Sequence, residues 1–507
     1  MKLNQSSLLF IVMYFISAFS LSSCRVIDSE QLGNNISGKS SLLFSIVGTE
    51  YSNNTSSAGL KSGVSEVKTT SVLVDPSNIT IARLSPSTSD LSSSSSASAN
   101  GVSAYASSGL PLSQGTKFRV IAYNSNGDFA ASQDYTVGSP GVAMMLDFGG
   151  TYTIVAYSYN RPSLPALSAL EQGNISSASV SYDDTNRDFL YYKTTIVPNS
   201  LTSNTLNITL RHKVAFVTTS INSSVANSNI NSVSNALITP HYSNGNFSLN
   251  TGSISGQSSL SSGASLDFSG SIMPAAVVNA SGVFVNAGSS IVSSGFSANV
   301  NINNVTRTVN LPGSFNITPG TNSTLSINLL NCGAYIGPGP TQWKPFMCFN
   351  LGADTTQDPF NRIAAIHGAK YQWGYNPPNV NQSDSRYVTR ADDQASSQGI
   401  SGWNGSAIIQ SNVWNSGTDA APSKGLSDPC PSGYRVPTRG EWLSIIGNSA
   451  NTITRYGTWQ DSPTTFDSGI RIANLYLPAS GGRDANGGFL YRNNNYGNYW
   501  SSLSNSK

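Results

Sequence analysis

The stretch TYTIVAYSYN, residues 151 to 160, limits what this chain can fold into. Tyr152, Ile154 and Ala156 fall on one face of an extended strand, and Val155, Tyr157 and Tyr159 on the other. The same period-two pattern returns in KFRVIAYNSNGDFAASQDYTV (117–137), where Asn126-Gly127 between two alternating runs signals a hairpin. It returns again with Leu206, Ile208 and Leu210, followed by an irregularity read as a bulge at Arg211-His212-Lys213. Later strand candidates are GVFVNAG, FSANVNINNVTRTVNL and STLSINLL. No segment of the first 330 residues carries a 3.6-residue apolar period. Many short strands separated by turn signals point to β-sandwiches.

At 507 residues the chain is too long for one core, and two to four domains are expected. Charged residues make up 10%, against about a quarter in ordinary globular chains. Ser, Asn, Thr and Gly take their place. The net charge of +2 is dispersed, so no concentrated basic face is available for nucleic acid. A neutral surface rich in hydroxyls and amides suits an exported β-protein.

The N-terminus agrees. Lys2 precedes the apolar run SLLFIVMYFISAFSL (7–21), which has the length of a signal h-region and is short for a membrane span. It ends in LSSC, and Leu21-Ser22-Ser23-Cys24 resembles the bacterial lipobox. That resemblance implies cleavage after residue 23, diacylation of Cys24, and durable attachment to a membrane through several acyl chains. The expected organisation is a signal peptide at 1–23 and a lipidated linker at 24–40. No second apolar stretch is long enough to span a bilayer, so the remainder is expected to be soluble and tethered. GNNISGKS (33–40) fits the phosphate-loop pattern letter for letter, but it leads into SLLFSIVG, a strand pattern, where that motif needs a helix. It reads as tether.

Two β-units follow, at 41–222 and 223–330. Between strands, residues 84–110 are too poor in large apolar groups to pack and read as a loop. LPLSQGTKFRVIAYNSNGDFAAS, GGTYTIVAYSYNRPSLP, LRHKVAFVTTSI and ITPGTNSTLSINL together resemble the fimbrillin family of Bacteroidetes-type surface lipoproteins. The resemblance implies two tandem β-sandwiches, outer-membrane anchoring on the surface of a Gram-negative cell, and association with other fimbrial subunits by strand exchange. It implies structural or adhesive work.

From residue 331 to 507 Trp and Tyr become common and Gly/Pro punctuation dense. IHGAKYQWGYNPP, SDPCPSGYRVPTRGEW and GGFLYRNNNYGNYWSS resemble the Fibrobacter succinogenes major paralogous domain, a distant relative of C-type-lectin-like folds. The fold class expected for the whole chain is therefore mainly β, two tandem fimbrillin-like β-sandwich units and then an irregular α+β, C-type-lectin-like domain. In VPTRGEW, Thr438 is the expected N-cap and Glu441 closes a capping box. Trp442, Ile445 and Ile446 would then face the core.

With Cys24 acylated, Cys332, Cys348 and Cys430 remain, an odd number in an oxidising compartment. Cys332 and Cys348, sixteen residues apart, are the favoured disulfide. Cys430 could still pair with either, or stay a buried thiol. In the C-terminal family the cysteine of DPCPSGYR is matched by another in a closing strand after YWSS. The resemblance thus implies that the partner of Cys430 is missing and that the domain is incomplete at its C-terminus.

Catalytic motifs are not evident. His212, His241 and His367 are far apart in sequence and not beside acidic residues. No metal, cofactor or enzymatic activity is expected. The acids Asp354, Asp358, Asp392 and Asp393 read better as solvated loop than as a cation site. The aromatic residues read mostly as core. Tyr491, Tyr496 and Trp500 are the candidates for glycan stacking. The reading as a whole is a surface lipoprotein that acts as a fimbrillin-like structural or adhesin subunit and displays a lectin-like module. Its runner-up is a tethered carbohydrate-binding protein for polysaccharide capture. Labelling with radioactive palmitate checks the anchor: the wild-type chain incorporates label and Cys24→Ala does not.

Overall fold

The computed structural model describes residues 38–52, 69–87, 110–199, 204–224, 228–408, 410 and 412–503. The signal segment, Cys24 and residues 88–109 of the serine-rich loop lie outside the described residues. Lys39 and Ser40, the end of the phosphate-loop match, stand in a strand.

In chain order the first strands are β1 (Lys39–Glu50), β2 (Thr69–Asp75), β3 (Asn78–Pro86), β4 (Lys117–Tyr123), β5 (Phe129–Thr136), β6 (Met144–Asp147), β7 (Tyr152–Ser158), β8 (Ser179–Ser181), β9 (Leu190–Ile196), β10 (Asn204–His212) and β11 (Ala215–Asn222). They continue with β12 (Ile230–Thr239), β13 (Asn246–Ser248), β14 (Ile254–Ser255), β15 (Ala264–Ser265), β16 (Val277–Val285), β17 (Val292–Ile302), β18 (Val305–Ile317) and β19 (Asn322–Asn331).

A seven-stranded sheet runs β5-β4-β7-β9-β10-β1-β6. Alternation along β4 and β7 gives it two buried faces. Phe118, Val120, Ile154 and Ala156 meet Leu42, Leu146 and Ile208 from the far strands of the same sheet, so the sheet wraps around its own core. Ile121, Tyr123, Val155 and Tyr157 face the other way, under the small sheet β14-β13-β8 with Val180, Phe247 and Ile254. The β4–β5 hairpin turns where Asn126-Gly127 predicts. Gly127 sits at φ 84°, the region glycine tolerates without strain, and the Asn126 and Asp128 N–H groups donate to Asn124 Oδ1.

A second pair of sheets lies face to face. One is β16-β11-β19-β3-β2 and the other β15-β12-β17-β18. Val217, Ile221, Leu325 and Ile327 from the first pack with Ile238, Phe296, Val300 and Leu311 from the second. The β17–β18 hairpin turns at Asn303-Asn304, both at positive φ, as a primed turn requires.

Two expectations are corrected here. The division at 222/223 does not describe the pairing, because β2, β3 and β11 belong to the same sheet as β19. Arg211-His212-Lys213 is no bulge within one strand. It is the crossing from the seven-stranded sheet, where β10 ends, to the five-stranded sheet, where β11 begins. Alternation and turn signals act locally, whereas these partners are set by contacts across hundreds of residues.

The C-terminal part has short strands: β20 (Gly333–Tyr335), β21 (Trp343–Pro345), β22 (Lys370–Tyr371), β23 (Tyr387–Val388), β24 (Ile453–Tyr456), β25 (Gly469–Ile472), β26 (Leu475–Pro478), β27 (Gly482–Arg483) and β28 (Leu490–Tyr491). Two α-helices join them, α1 (Arg390–Ala395) and α2 (Arg439–Gly447). Cys332 and Cys348 form a disulfide with Cα atoms 5.2 Å apart. It seats this part on the sheet: the Cys332 N–H donates to Ser77 O at 2.7 Å and the Cys348 N–H to Pro76 O at 2.8 Å. Ile79, Ile81 and Leu330 pack against the bridge, Phe349 and Ile366.

Helix α2 starts with the capping box its sequence announces. Thr438 Oγ1 accepts from the Glu441 N–H, and Glu441 Oε2 accepts from the Thr438 N–H. Ile445 is fully buried and Trp442 packs beside it, but Ile446 is exposed. A nine-residue helix at the margin of the fold buries a stripe narrower than three positions, and Ile446 lies a further 100° or so around the axis.

A buried charge network fastens the segment after β7 to the first sheet. Arg119 donates to Asp134 Oδ1 at 2.7 Å, to Asp134 Oδ2 at 2.9 Å, to Glu171 Oε1 at 3.1 Å and to Pro165 O at 2.9 Å. Glu171 is as buried as Arg119 and also accepts from the Tyr157 hydroxyl at 2.5 Å. Arg119→Met strands the Glu171 carboxylate without its cation. It should cost about 3–5 kcal/mol of stability, read from urea unfolding followed by tyrosine fluorescence.

Candidate functional site

The C-terminal part holds a cavity of about 1110 Å³ that opens to solvent. Part of its wall comes from Asn498, Tyr499 and Trp500. The Trp442 indole N–H donates to Trp500 O at 3.1 Å, the Trp500 N–H to Tyr371 O at 2.8 Å, and the Trp373 N–H to Ser501 O at 2.9 Å. The Ser502 N–H reaches Pro437 O at 2.8 Å. Tyr499 donates to Pro478 O at 2.9 Å and accepts from Asn350 Nδ2 at 3.2 Å. These bonds fix Trp500 by its edge while its ring stays half exposed.

Of the three glycan candidates, Tyr491 and Trp500 line the cavity and both are exposed. Tyr491 stands over Gly482, where a Cβ would meet its hydroxyl at 2.9 Å. Tyr496 is exposed but stands outside the lining, with the Arg492 guanidinium 4.5 Å above its ring. Trp403 and Trp414 also line the cavity, and Trp373 tilts against Trp414 with ring centres 5.8 Å apart.

Charged groups are mostly spoken for. Arg435 pairs with Glu441 at 2.6 and 2.8 Å. Burial pushes the Glu441 carboxyl up, but the Arg435 and Thr438 bonds outweigh it and leave it below the usual carboxylate range. Arg483 donates to Asp393 Oδ1 at 2.8 Å, and Lys370 Nζ lies 3.0 Å from Asp393 Oδ2. Burial lowers the Lys370 ammonium, partly offset by Asp393.

Cys430 is a free thiol at the cavity wall, paired with neither Cys332 nor Cys348. Burial, with Asp428 nearby, pushes it up to about 12. It is protonated at neutral pH and a poor nucleophile there.

The four acids weighed as a cation site are engaged within the protein. Asp354 accepts from Thr356, Asp358 from the Phe360 N–H, Asp392 from Ser383 and Thr389, and Asp393 binds the two cations above. Among the described residues no cluster of His, Cys, Asp or Glu is arranged to hold a metal ion. Asn415, next to Trp414, is buried and accepts from the Gly417 and Ser423 N–H groups.

The histidines correct the sequence reading. The loop 183–188 brings acids to two of them: Asp188 Oδ1 is 2.6 Å from His212 Nδ1, and Asp184 Oδ1 is 2.8 Å from His241 Nε2. His241 Nδ1 also accepts from the Asn286 N–H at 3.1 Å, and His212 stacks on Tyr51 with ring centres 3.8 Å apart. No local signal marks these pairs, since the partners are 24 and 57 residues apart. His367 differs from both and lines the cavity.

No protein-family model matches the chain, and no curated protein matches it. Solved structures overlap it only partly. A Bacteroides uniformis protein provisionally assigned to cell adhesion has 12% identity and a TM-score of 0.29, covering 43% of this chain and 86% of its own. A fimbrial assembly protein from Parabacteroides distasonis has 8% identity and a TM-score of 0.27, covering 42% and 82%. The fimbrial anchor protein Mfa2 from Porphyromonas gingivalis has 11% identity and a TM-score of 0.25, covering 37% and 71%. Overlaps this small assign neither family nor function, and the motif resemblances stay resemblances.

The pH dependence of the cavity floor follows from His367. Burial, then the Lys370 charge, lowers it to about 4 from an ordinary 6.5. Above 6.5 its neutral form costs nothing extra. As the pH falls from 6.5 to about 4, the unfolded chain takes up a proton that the folded one refuses. The protein therefore loses up to about 3 kcal/mol over that window. His367→Gln should remove that part of the acid sensitivity, seen by comparing urea unfolding of both proteins at pH 7 and 4.5.

Proposed function

We propose that this chain is a surface-anchored subunit of fimbrillin type, adhesive in role, whose β-sheets hold out a C-terminal module that binds glycan. Its work is binding without catalysis. The observation that carries the reading is the cavity of about 1110 Å³ with Trp500 and Tyr491 at its wall. Flat rings with free faces stack on the apolar face of a sugar, and the surrounding amides and hydroxyls bind its edge. The low charge and the exported composition are consistent with it. So are the lipobox-like LSSC, which supports an outer-membrane anchor at Cys24, and the fimbrillin-like order of strand motifs. The strands that end the described sheets, β2 and β18 among them, are where a neighbouring subunit's strand would add.

A glycan array probed with the chain from Cys24 onward tests the reading. Trp500→Ala should weaken binding about tenfold, or about 1.4 kcal/mol, and cost about 1 kcal/mol of stability for the lost bond to Tyr371 O. Oligomer ladders on native gels with no glycan bound would favour a purely structural subunit.

A further inference from the structure

Lys370, Asp393 and Arg483 form a buried cluster of three charges for which binding in the cavity has no use. Lys370 Nζ lies 3.0 Å from Asp393 Oδ2, with the two side chains only 12% and 5% exposed. Arg483 Nε donates to Asp393 Oδ1 at 2.8 Å. Two cations thus meet one carboxylate. Desolvation penalises each of these charges, and the second cation is one that the pair with Arg483 does not need.

The two cations are held differently. Arg483 Nη1 donates to Gln398 O at 2.9 Å and to Gly488 O at 3.1 Å. Its Nη2 donates to Asp393 O at 3.0 Å and to Ser396 O at 2.5 Å. With the bond from Nε, every N–H of the guanidinium is engaged, so Arg483 is fixed and charged. Lys370 has Asp393 as its only ionic partner among the described residues. Burial lowers its ammonium, partly offset by Asp393. That brings it closer than an exposed lysine to the neutral amine, which is a nucleophile.

The positions suit attack on the carboxyl group. Asp393 Cγ is at most one C–O bond further from Nζ than Oδ2 is, so amine and carbon are neighbours. When an amine adds to Cγ, negative charge gathers on Oδ1. Arg483 already donates to that oxygen, which is the arrangement of an oxyanion hole. The reacting groups come from separately anchored elements. Lys370 is held by the pairing of β22 with β23, and Asp393 by helix α1, whose N-cap is Thr389.

We propose that Lys370 and Asp393 become joined by an isopeptide bond, made by the folded chain itself. The ammonium passes a proton to Oδ2. The freed amine adds to Cγ, a C–N bond forms, and Oδ1 takes the negative charge against Arg483. A second proton moves from the nitrogen to the Oδ2 hydroxyl, the Cγ–Oδ2 bond breaks, and water leaves. No oxidant, reductant or co-reactant is consumed. Three buried charges become one, the Arg483 guanidinium among oxygen acceptors. The bond staples β22 to α1 beside the cavity, and it stands independently of the glycan reading.

The test is mass spectrometry of the chain from Cys24 onward, purified folded and then reduced and denatured. Wild type should be lighter than its sequence by the mass of one water. Trypsin cannot cut after an acylated lysine, so its digest should contain a branched peptide joining residues 363–386 to residues 391–424. Fragmentation should place the branch at Lys370 and Asp393. Lys370→Met, which leaves Asp393 with Arg483, and Asp393→Ala should both keep their full mass. Wild-type chain dissolved in urea before it has folded should also have full mass, and should lose the water on refolding. A folded wild type of full mass overturns the proposal and leaves an ordinary ion pair. So does a lost water that maps to other residues, that persists in Lys370→Met, or that is already missing before the chain folds.

Discussion

Strand β19 is the element on which the arrangement depends. It is bonded along both edges, parallel to β11 and antiparallel to β3. Its inward side chains Leu325 and Ile327 sit in the core between the two facing sheets. Its end leads directly into Cys332, whose N–H caps the turn between β2 and β3 at Ser77. One strand therefore joins chain segments near residues 80, 220 and 330 and fixes where the C-terminal part sits. A register slip of one residue would turn Leu325 and Ile327 outward and displace the disulfide from its seat.

That seat matters for the cavity. The bridge, Phe349 and Ile366 rest on β3 and β19, and His367 follows Ile366 immediately. The short elements of the C-terminal part bury little by themselves. Their order comes from side-chain bonds to backbone: three indole N–H groups tie the chain end to the segments around Tyr371 and Pro437. The scaffold is held by apolar layers and the module by polar stitching, so the cavity can be lined with rings without collapsing onto them.

The sequence was most informative where structure is local. Alternation at Tyr152, Ile154 and Ala156 against Val155, Tyr157 and Tyr159 matches the two cores on either side of β7. The hairpin at Asn126-Gly127 and the capping box of Thr438 and Glu441 are where the spacing puts them. The sequence misled wherever distant segments had to meet. Residues 69–86 looked like part of a first unit and belong to the sheet of β19. Arg211-His212-Lys213 looked like a bulge and is a crossing. Asp184 and Asp188 gave no sign of their histidines, and Lys370 gave none of its pairing with Asp393.

Sequence by itself determined that this chain is built of strands, that its composition suits export, and which short motifs turn or cap. Those properties follow from side-chain period and backbone preference over a few residues. Tertiary structure alone decided which strands share a sheet, that Tyr491 and Trp500 reach a common cavity while Tyr496 does not, and that Lys370 and Arg483 share the Asp393 carboxylate. Each of these depends on burial and on register between segments many residues apart, and no local pattern encodes either.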